Sequence, residues 1–230
     1  MLIRHGIPFF ISLGLFIACS STARETASTA QGLSWNVQEL ITASRNAAAA
    51  AEASEKRGVM KDEAETGIHY AERCLERAPE EAACFYYRAI NTGLYYQARV
   101  VGYQTGVKHM AADLERVIAI NALYDYAGAH RALGELFTKL PQTTVHPNDL
   151  RRDLEKAENY LREAVRLAPD YPENYLQLSE TLTARGKYDE AQGALSRAKE
   201  LVPRWKRDRA YGSWQSATSQ LETKLAVIQR

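Results

Sequence analysis

Apolar residues fall three and four apart in two stretches of this chain that copy one another. Ala157, Leu161, Ala164, Leu167 and Pro169 recur 34 residues later as Ala191, Leu195, Ala198, Leu201 and Pro203. Spacing of three and four places such side chains on one helix face, and the proline marks where each helix ends. Ahead of the second copy, Tyr175, Leu178 and Leu182 form the stripe of another helix, and Gly186-Lys187 breaks it. Glycine adopts the left-handed turn of a helix end at little steric cost. Small residues at Ala191 and Ala198 let two helix backbones cross closely. A helix–turn–helix unit cannot bury its apolar face alone, so units of this period stack into a solenoid with an extended concave surface.

From 172 to 205 the chain resembles one complete tetratricopeptide repeat (TPR). Other segments carry the pattern less regularly. A helix is predicted over 35–57, begun by Ser34 or Asn36, filled by Trp35, Leu40, Ile41 and the alanines 47–51, and broken at Gly58. A second helix over 61–77 ends in Ala78-Pro79 and has the layout of the stretch that ends in Ala168-Pro169. A long helix over 80–101 pairs with one over 110–120, with 102–106 as extra loop. The helix over 126–140, with Leu133, Gly134 and Phe137 at packing spacing, meets its partner from 149 on, after an insertion at 141–148. Leu133 to Leu178 is 45 residues, against 34 in the regular unit. A last helix over 207–229 sets Trp214, Leu221, Leu225 and Ile228 on one face and caps the open end. β-Branched residues are too sparse for many strands. The expected fold is all-α: a TPR-like helical-hairpin solenoid over 34–230, with irregular middle units and a C-terminal capping helix.

The first 18 residues differ. Arg4 and His5 are followed by an apolar run over 7–17, too short for a spanning helix of about 20 residues, which reads as a secretory signal. Phe16-Ile17-Ala18-Cys19 resembles a bacterial lipobox, in which the cysteine is lipidated and becomes the mature N-terminus; the usual leucine is replaced by Phe16. Ordinary signal cleavage after Ser21-Thr22-Ala23 is the rival reading. Residues 19–33 are small and polar, a tether reaching about 45–50 Å when extended. Ser20 after the cysteine, by resemblance to the sorting rule of enteric lipoproteins, points to the outer rather than the inner membrane of a bacterial envelope, facing the periplasm.

With 29 basic against 28 acidic residues, the charge balance gives no reason to expect nucleic acid. The five histidines (His5, His69, His109, His130, His146) show no metal spacing, and no HExxH, CxxC, GxSxG or phosphate-loop pattern occurs. His130 reads as a packing histidine between helices. The chain is thus expected to be a binding protein without catalytic residues, metal or cofactor. Cys74 and Cys84 flank Pro79 five residues to either side, in a compartment that permits disulfides. Because Cys74 takes the place of Ala164 and Ala198, the favoured reading is a small buried side chain rather than a bridge.

The middle units carry a narrower resemblance. Phe85-Tyr86-Tyr87-Arg88-Ala89-Ile90-Asn91-Thr92-Gly93, Leu114-Glu115-Arg116-Val117-Ile118-Ala119-Ile120 and the run from Tyr124 through His130-Arg131-Ala132-Leu133-Gly134-Glu135-Leu136-Phe137 to Leu140-Pro141 are similar to the T-component family of TRAP transporters. That family consists of TPR-like envelope lipoproteins associated with periplasmic solute uptake. The resemblance implies an accessory role beside an extracytoplasmic solute-binding protein. The alternative is an envelope-assembly scaffold that captures outer-membrane, pilus or secretion proteins. On each first helix, residues one position past the packing stripe point to the concave side: Tyr86 and Ile90, Arg131 and Glu135, Leu176 and Glu180. With Tyr96, they are the predicted groove for a protein partner or a small amphiphilic ligand. Tyr87 and Tyr95 are assigned to the core. A homo-oligomer stays open.

Overall fold

Each stretch with helical spacing of apolar residues forms a helix. The computed structural model describes residues 35–99 and 101–228. The signal segment, Cys19 and the tether lie outside the described residues. Nine α-helices run in order among those described: α1 (Val37–Glu52), α2 (Arg57–Arg77), α3 (Ala82–Ala98), α4 (Tyr103–Asn121), α5 (Tyr124–Lys139), α6 (Leu154–Leu167), α7 (Pro172–Ala184), α8 (Tyr188–Leu201) and α9 (Tyr211–Ile228). A 3₁₀ turn, Val202–Trp205, extends α8 past Pro203. None of the described residues is in a strand.

Local chemistry sets the ends. The Glu81 carboxylate accepts from the Ala83 N–H at 3.2 Å and the Asp153 carboxylate from Lys156 N–H at 2.9 Å, satisfying donors that a helix start leaves free. Pro172 lies in the first turn of α7, where no N–H is needed. Both Ala-Pro ends share a geometry: the Ala78 and Ala168 N–H groups return to the Cys74 and Ala164 carbonyls. Gly186 takes the expected left-handed conformation, with φ at 74°. Three boundaries differ from expectation. Residues 53–56 make the first break, with Gly58 inside α2. The predicted loop over 102–106 shrinks to Gly102, and Tyr103 already opens α4. Before α6 the connection runs on to Asp153, folded back by Arg152 and Asp153 N–H bonds to the Pro141 and Phe137 carbonyls.

Consecutive helices pair as hairpins, α1/α2, α3/α4, α5/α6 and α7/α8. The first helices α1, α3, α5 and α7 also lie side by side as one layer, and α9 packs on α7 and α8. One core cluster gathers Leu114, Val117, Leu133 and Phe137, and the next Leu161, Leu178, Leu182, Leu195, Trp214 and Leu225. Ala164, Ala191 and Ala198 are fully buried at the helix crossings. The expected all-α solenoid of helical hairpins with a terminal helix is therefore the fold.

A polar knot ties the first three helices. The Asn91 amide on α3 donates to the Ser44 carbonyl and hydroxyl on α1, both at 3.1 Å, and the Ser44 hydroxyl donates to the Gly67 carbonyl on α2 at 2.8 Å. Asn91 and Ser44 are fully buried. A Cβ on Gly67 would overlap the Asn91 side chain, so only glycine lets α2 approach this closely. Gly67→Ala is expected to lower stability by about 1–3 kcal/mol, as overpacking does, measured by urea unfolding. An unchanged midpoint would mean that Asn91 can leave the knot freely.

The expectation for the cysteines is corrected. Cys74 occupies the buried place held elsewhere by alanine, and it is also bonded to Cys84, with the Cα atoms 5.6 Å apart. The physical reason is the tight turn around Pro79, which sets the last turn of α2 against the first of α3. Cys84 stands ten residues past Cys74, as Asn174 stands ten past Ala164. There the Asn174 amide donates to the Ala164 carbonyl at 3.1 Å. One corner is thus joined covalently and the other by hydrogen bonds. Closing so short a loop removes about 2–3 kcal/mol of unfolded-state entropy. The Cys74→Ala/Cys84→Ala protein should lose that amount in thermal unfolding, and reductant should leave it without further effect.

Candidate binding surface

Tyr86, Arg131 and Leu176 are 45 residues apart and each stands four before Ile90, Glu135 and Glu180. Equal spacing gives them equivalent places on the side-by-side helices α3, α5 and α7. Their surroundings differ from the predicted open groove. Tyr86, Arg131 and Leu176 are all buried, at 5–6% exposure, whereas Ile90, Tyr96, Glu135 and Glu180 are half-buried.

The cover over Tyr86 and Arg131 is the start of α5. Asp125, Tyr126 and Ala127 all have positive φ, between 50° and 62°. Left-handed backbone costs about 1–2 kcal/mol for each residue with a side chain, so three in a row persist only if their surroundings hold them. Arg131 does most of this. Its Nη1 reaches the Asp125 and Tyr126 carbonyls at 3.4 Å and donates to Asn174 Oδ1 at 3.1 Å, and its Nη2 pairs with the Asp125 carboxylate at 3.0 Å. Asn174 donates to the Tyr126 carbonyl at 3.2 Å, and the Tyr86 hydroxyl donates to Asp125 Oδ2 at 2.6 Å. Glu173 lies 3.6 Å from Arg131 Nε, and the Tyr171 ring stacks under the guanidinium, 4.9 Å from its centroid. Burial opposes the charge on Arg131, but Glu173, Tyr86 and Asp125 raise its pKa further. Burial likewise pushes the Tyr86 hydroxyl well above its usual range.

Two predicted groove residues, Tyr86 and Arg131, are therefore corrected to parts of a buried hub. Tyr96 is half-buried, with its ring over Gly106 at the crossing with α4. Tyr87 and Tyr95, expected in the core, are half-buried; Tyr87 meets Tyr86 and Tyr124 edge-on, and Tyr95 accepts from Arg99 at 2.8 Å. His130 is buried between helices with its ring toward Tyr160, and burial lowers its pKa. The hub presents Tyr126 outward. It is 48% exposed, stacked on Tyr171 at 4.6 Å, with Trp205 edge-on to both rings.

A cleft of ≈ 370 Å³ opens between α7 and α9. Leu176, Gln177 and Glu180 form one wall, and Trp214, Leu221 and Lys224 the other. Here the structure brings two predicted residues, Leu176 and Glu180, together on a surface with room for a ligand. The α9 wall was missed as a lining, because Trp214 and Leu221 read only as the packing face of a cap. A second cleft, ≈ 390 Å³, lies between α4 and α6 with His130, Tyr160 and Lys156 in its lining. Among the described residues no group of His, Cys, Asp and Glu is placed to hold a metal ion, and no helix is long and apolar enough to cross a membrane.

Residues 150–211 match a sequence model of the tetratricopeptide repeat. A search of curated proteins finds no match. Among solved structures, the chain is similar to that of a thermophilic TPR protein in Thermus thermophilus. The two share 18% identity over 80% of this chain and 83% of that one, with a TM-score of 0.54. The fold is thus a TPR-type solenoid, an architecture suited to binding other proteins.

Proposed function

We propose that this chain is a lipid-anchored, periplasm-facing TPR lipoprotein that binds a protein partner on the face formed by its first helices. In the narrower form of the proposal, it serves a TRAP-type uptake system beside an extracytoplasmic solute-binding protein. The observation that carries the binding role is that α5 and α7 of that layer carry exposed Tyr126, half-buried Glu135 and Glu180, and one wall of the α7/α9 cleft. The buried disulfide supports export, because such bonds persist in oxidising compartments. An outer-membrane anchor at Cys19 rests on the lipobox resemblance.

The regular unit matched at 150–211 favours a second reading, a scaffold for envelope assembly that captures peptides. One experiment separates the two: a pull-down from detergent-solubilised membranes, with the captured proteins identified by mass spectrometry. Recovery of a solute-binding protein supports the first reading; recovery of outer-membrane, pilus or secretion proteins supports the second. Anchoring has its own test. Cys19→Ser should move the protein from the membrane fraction to the soluble periplasm, since an acyl chain supplies the membrane affinity. Membrane retention of that variant after a salt wash would overturn the lipoprotein reading.

A further inference from the structure

Glu180 on α7 and Lys224 on α9 line the same cleft from opposite walls; neither is in an ion pair among the described residues, and Glu180 also lends its charge to Lys139, which pairs with Glu135. Most other charges near the layer are engaged: Glu135 pairs with Lys139, Asp125 with Arg131, and Glu173 lies beside Arg131. Between Glu180 and Lys224 the floor is apolar, formed by Leu176, Leu221 and Trp214. Trp214 is 3% exposed and its indole N–H has no hydrogen-bond partner, a rare condition for a buried donor. Gln177 and Gln220 stand on the two walls; the Gln220 amide donates to Ser216 Oγ at 3.3 Å and keeps its carbonyl as an acceptor, while the Gln177 amide offers both a donor and an acceptor. That pairing of donor with acceptor is what a peptide backbone requires, and a simple amphiphile does not use it. The volume is at the small end of ligand sites, about 300–1,000 Å³, so the cleft takes a short stretch of chain and not a folded surface.

We infer that the α7/α9 cleft is a peptide subsite for a short segment with an apolar side chain beside a lysine or arginine. The apolar side chain rests on Leu176, Leu221 and Trp214. The cation meets Glu180. Lys224 disfavours a second cation and receives a carbonyl or carboxylate of the segment. The subsite rests on the protein-binding reading given above and specifies its chemistry. It also assigns α9 a role beyond capping, since one wall of the cleft belongs to that helix.

The test uses fluorescence anisotropy on the folded, purified protein with labelled hexapeptides of three kinds: Lys-Leu in a Gly-Ser background, Glu-Leu in the same background, and Gly-Ser alone. The Lys-Leu peptide is expected to bind at least tenfold more tightly than the other two. Glu180→Lys should remove that preference, and Lys224→Glu should strengthen it. Glu163→Gln, on the far helix α6, should leave it unchanged. Circular dichroism melts of the variants establish that each is folded. Equal binding of all three peptides, or a preference that survives Glu180→Lys in a folded protein, overturns the subsite. The broader reading fails separately: it falls if chemical crosslinking in intact envelopes joins no protein to the wild-type chain. Crosslinking of a partner unaffected by Glu180→Lys, with no peptide preference, removes the subsite and keeps the reading.

Discussion

Arg131→Ala is expected to lower the unfolding free energy by about 3–5 kcal/mol, the range for removing one partner of a buried ion pair. For a chain of this size that corresponds to a fall of roughly 6–20 °C in melting temperature. The loss has three parts. Asp125 loses a cation at 3.0 Å, Asn174 loses a donor at 3.1 Å, and the Asp125 and Tyr126 carbonyls lose the donor that faces them. The strained turn is then held only by Asn174 and Tyr86, so its left-handed conformation becomes costly to keep. Arg131→Lys should recover little, because an ammonium cannot reach Asn174, Asp125 and two carbonyls at once. Tyr86→Phe, which removes only the bond to Asp125, should lose about 1–3 kcal/mol. The measurement is thermal unfolding by circular dichroism for all three. A melting point for Arg131→Ala within about 1 °C of wild type would show that the guanidinium does not hold the turn.

Arg131 also shows where sequence reading stops. Its register was legible: the 45-residue spacing from Tyr86 through Arg131 to Leu176 places all three alike on successive helices. What covers them was not. Asp125 tolerates a left-handed backbone, but Tyr126 and Ala127 do not advertise it, and their local pattern reads as the first turn of a helix. The conformation is imposed by partners at 86, 131 and 174, separated by up to 88 positions, so no local window contains the cause. The regular unit was legible for the opposite reason. At 157–203 the packing positions and the closing proline repeat at one spacing, and Ala157, Leu161, Ala164, Ala191, Leu195 and Ala198 are buried as that spacing requires. Cys84 could have been found by one more step of the same comparison, through its correspondence to Asn174. The wall that α9 gives to the cleft had no such signal, since a helix that caps and a helix that lines a ligand share one apolar stripe.

Glu158 carries the second large effect, and pH reveals it. Its side chain is 5% exposed on α6, bonded to Lys187 at 2.9 Å, to Arg162 at 2.8 Å and to Arg185. Burial by itself would raise its pKa. The bonds from Lys187 and Arg162, the Arg162 charge and the bond from Arg185 outweigh that and hold it at about 2. The fall from an ordinary 4.5 is equivalent to roughly 3 kcal/mol of stabilisation. The folded state has the lower pKa and so binds fewer protons between the two values. The contribution is therefore complete above about pH 4.5 and is lost as pH falls from there through 2. Arg185 and Lys187 flank Gly186 in the turn from α7 to α8, so the carboxylate fastens that turn to α6. Glu158→Gln should lose about 3 kcal/mol at pH 7 in urea unfolding, and the gap to wild type should narrow steadily between pH 4.5 and 3. Glu163→Gln, which breaks an exposed pair with Arg166, should change stability by less than about 1 kcal/mol at either pH. A Glu158→Gln gap of the same size at pH 3 and pH 7 would mean that packing, and not the carboxylate's charge, secures the turn on which the α7 wall of the cleft depends.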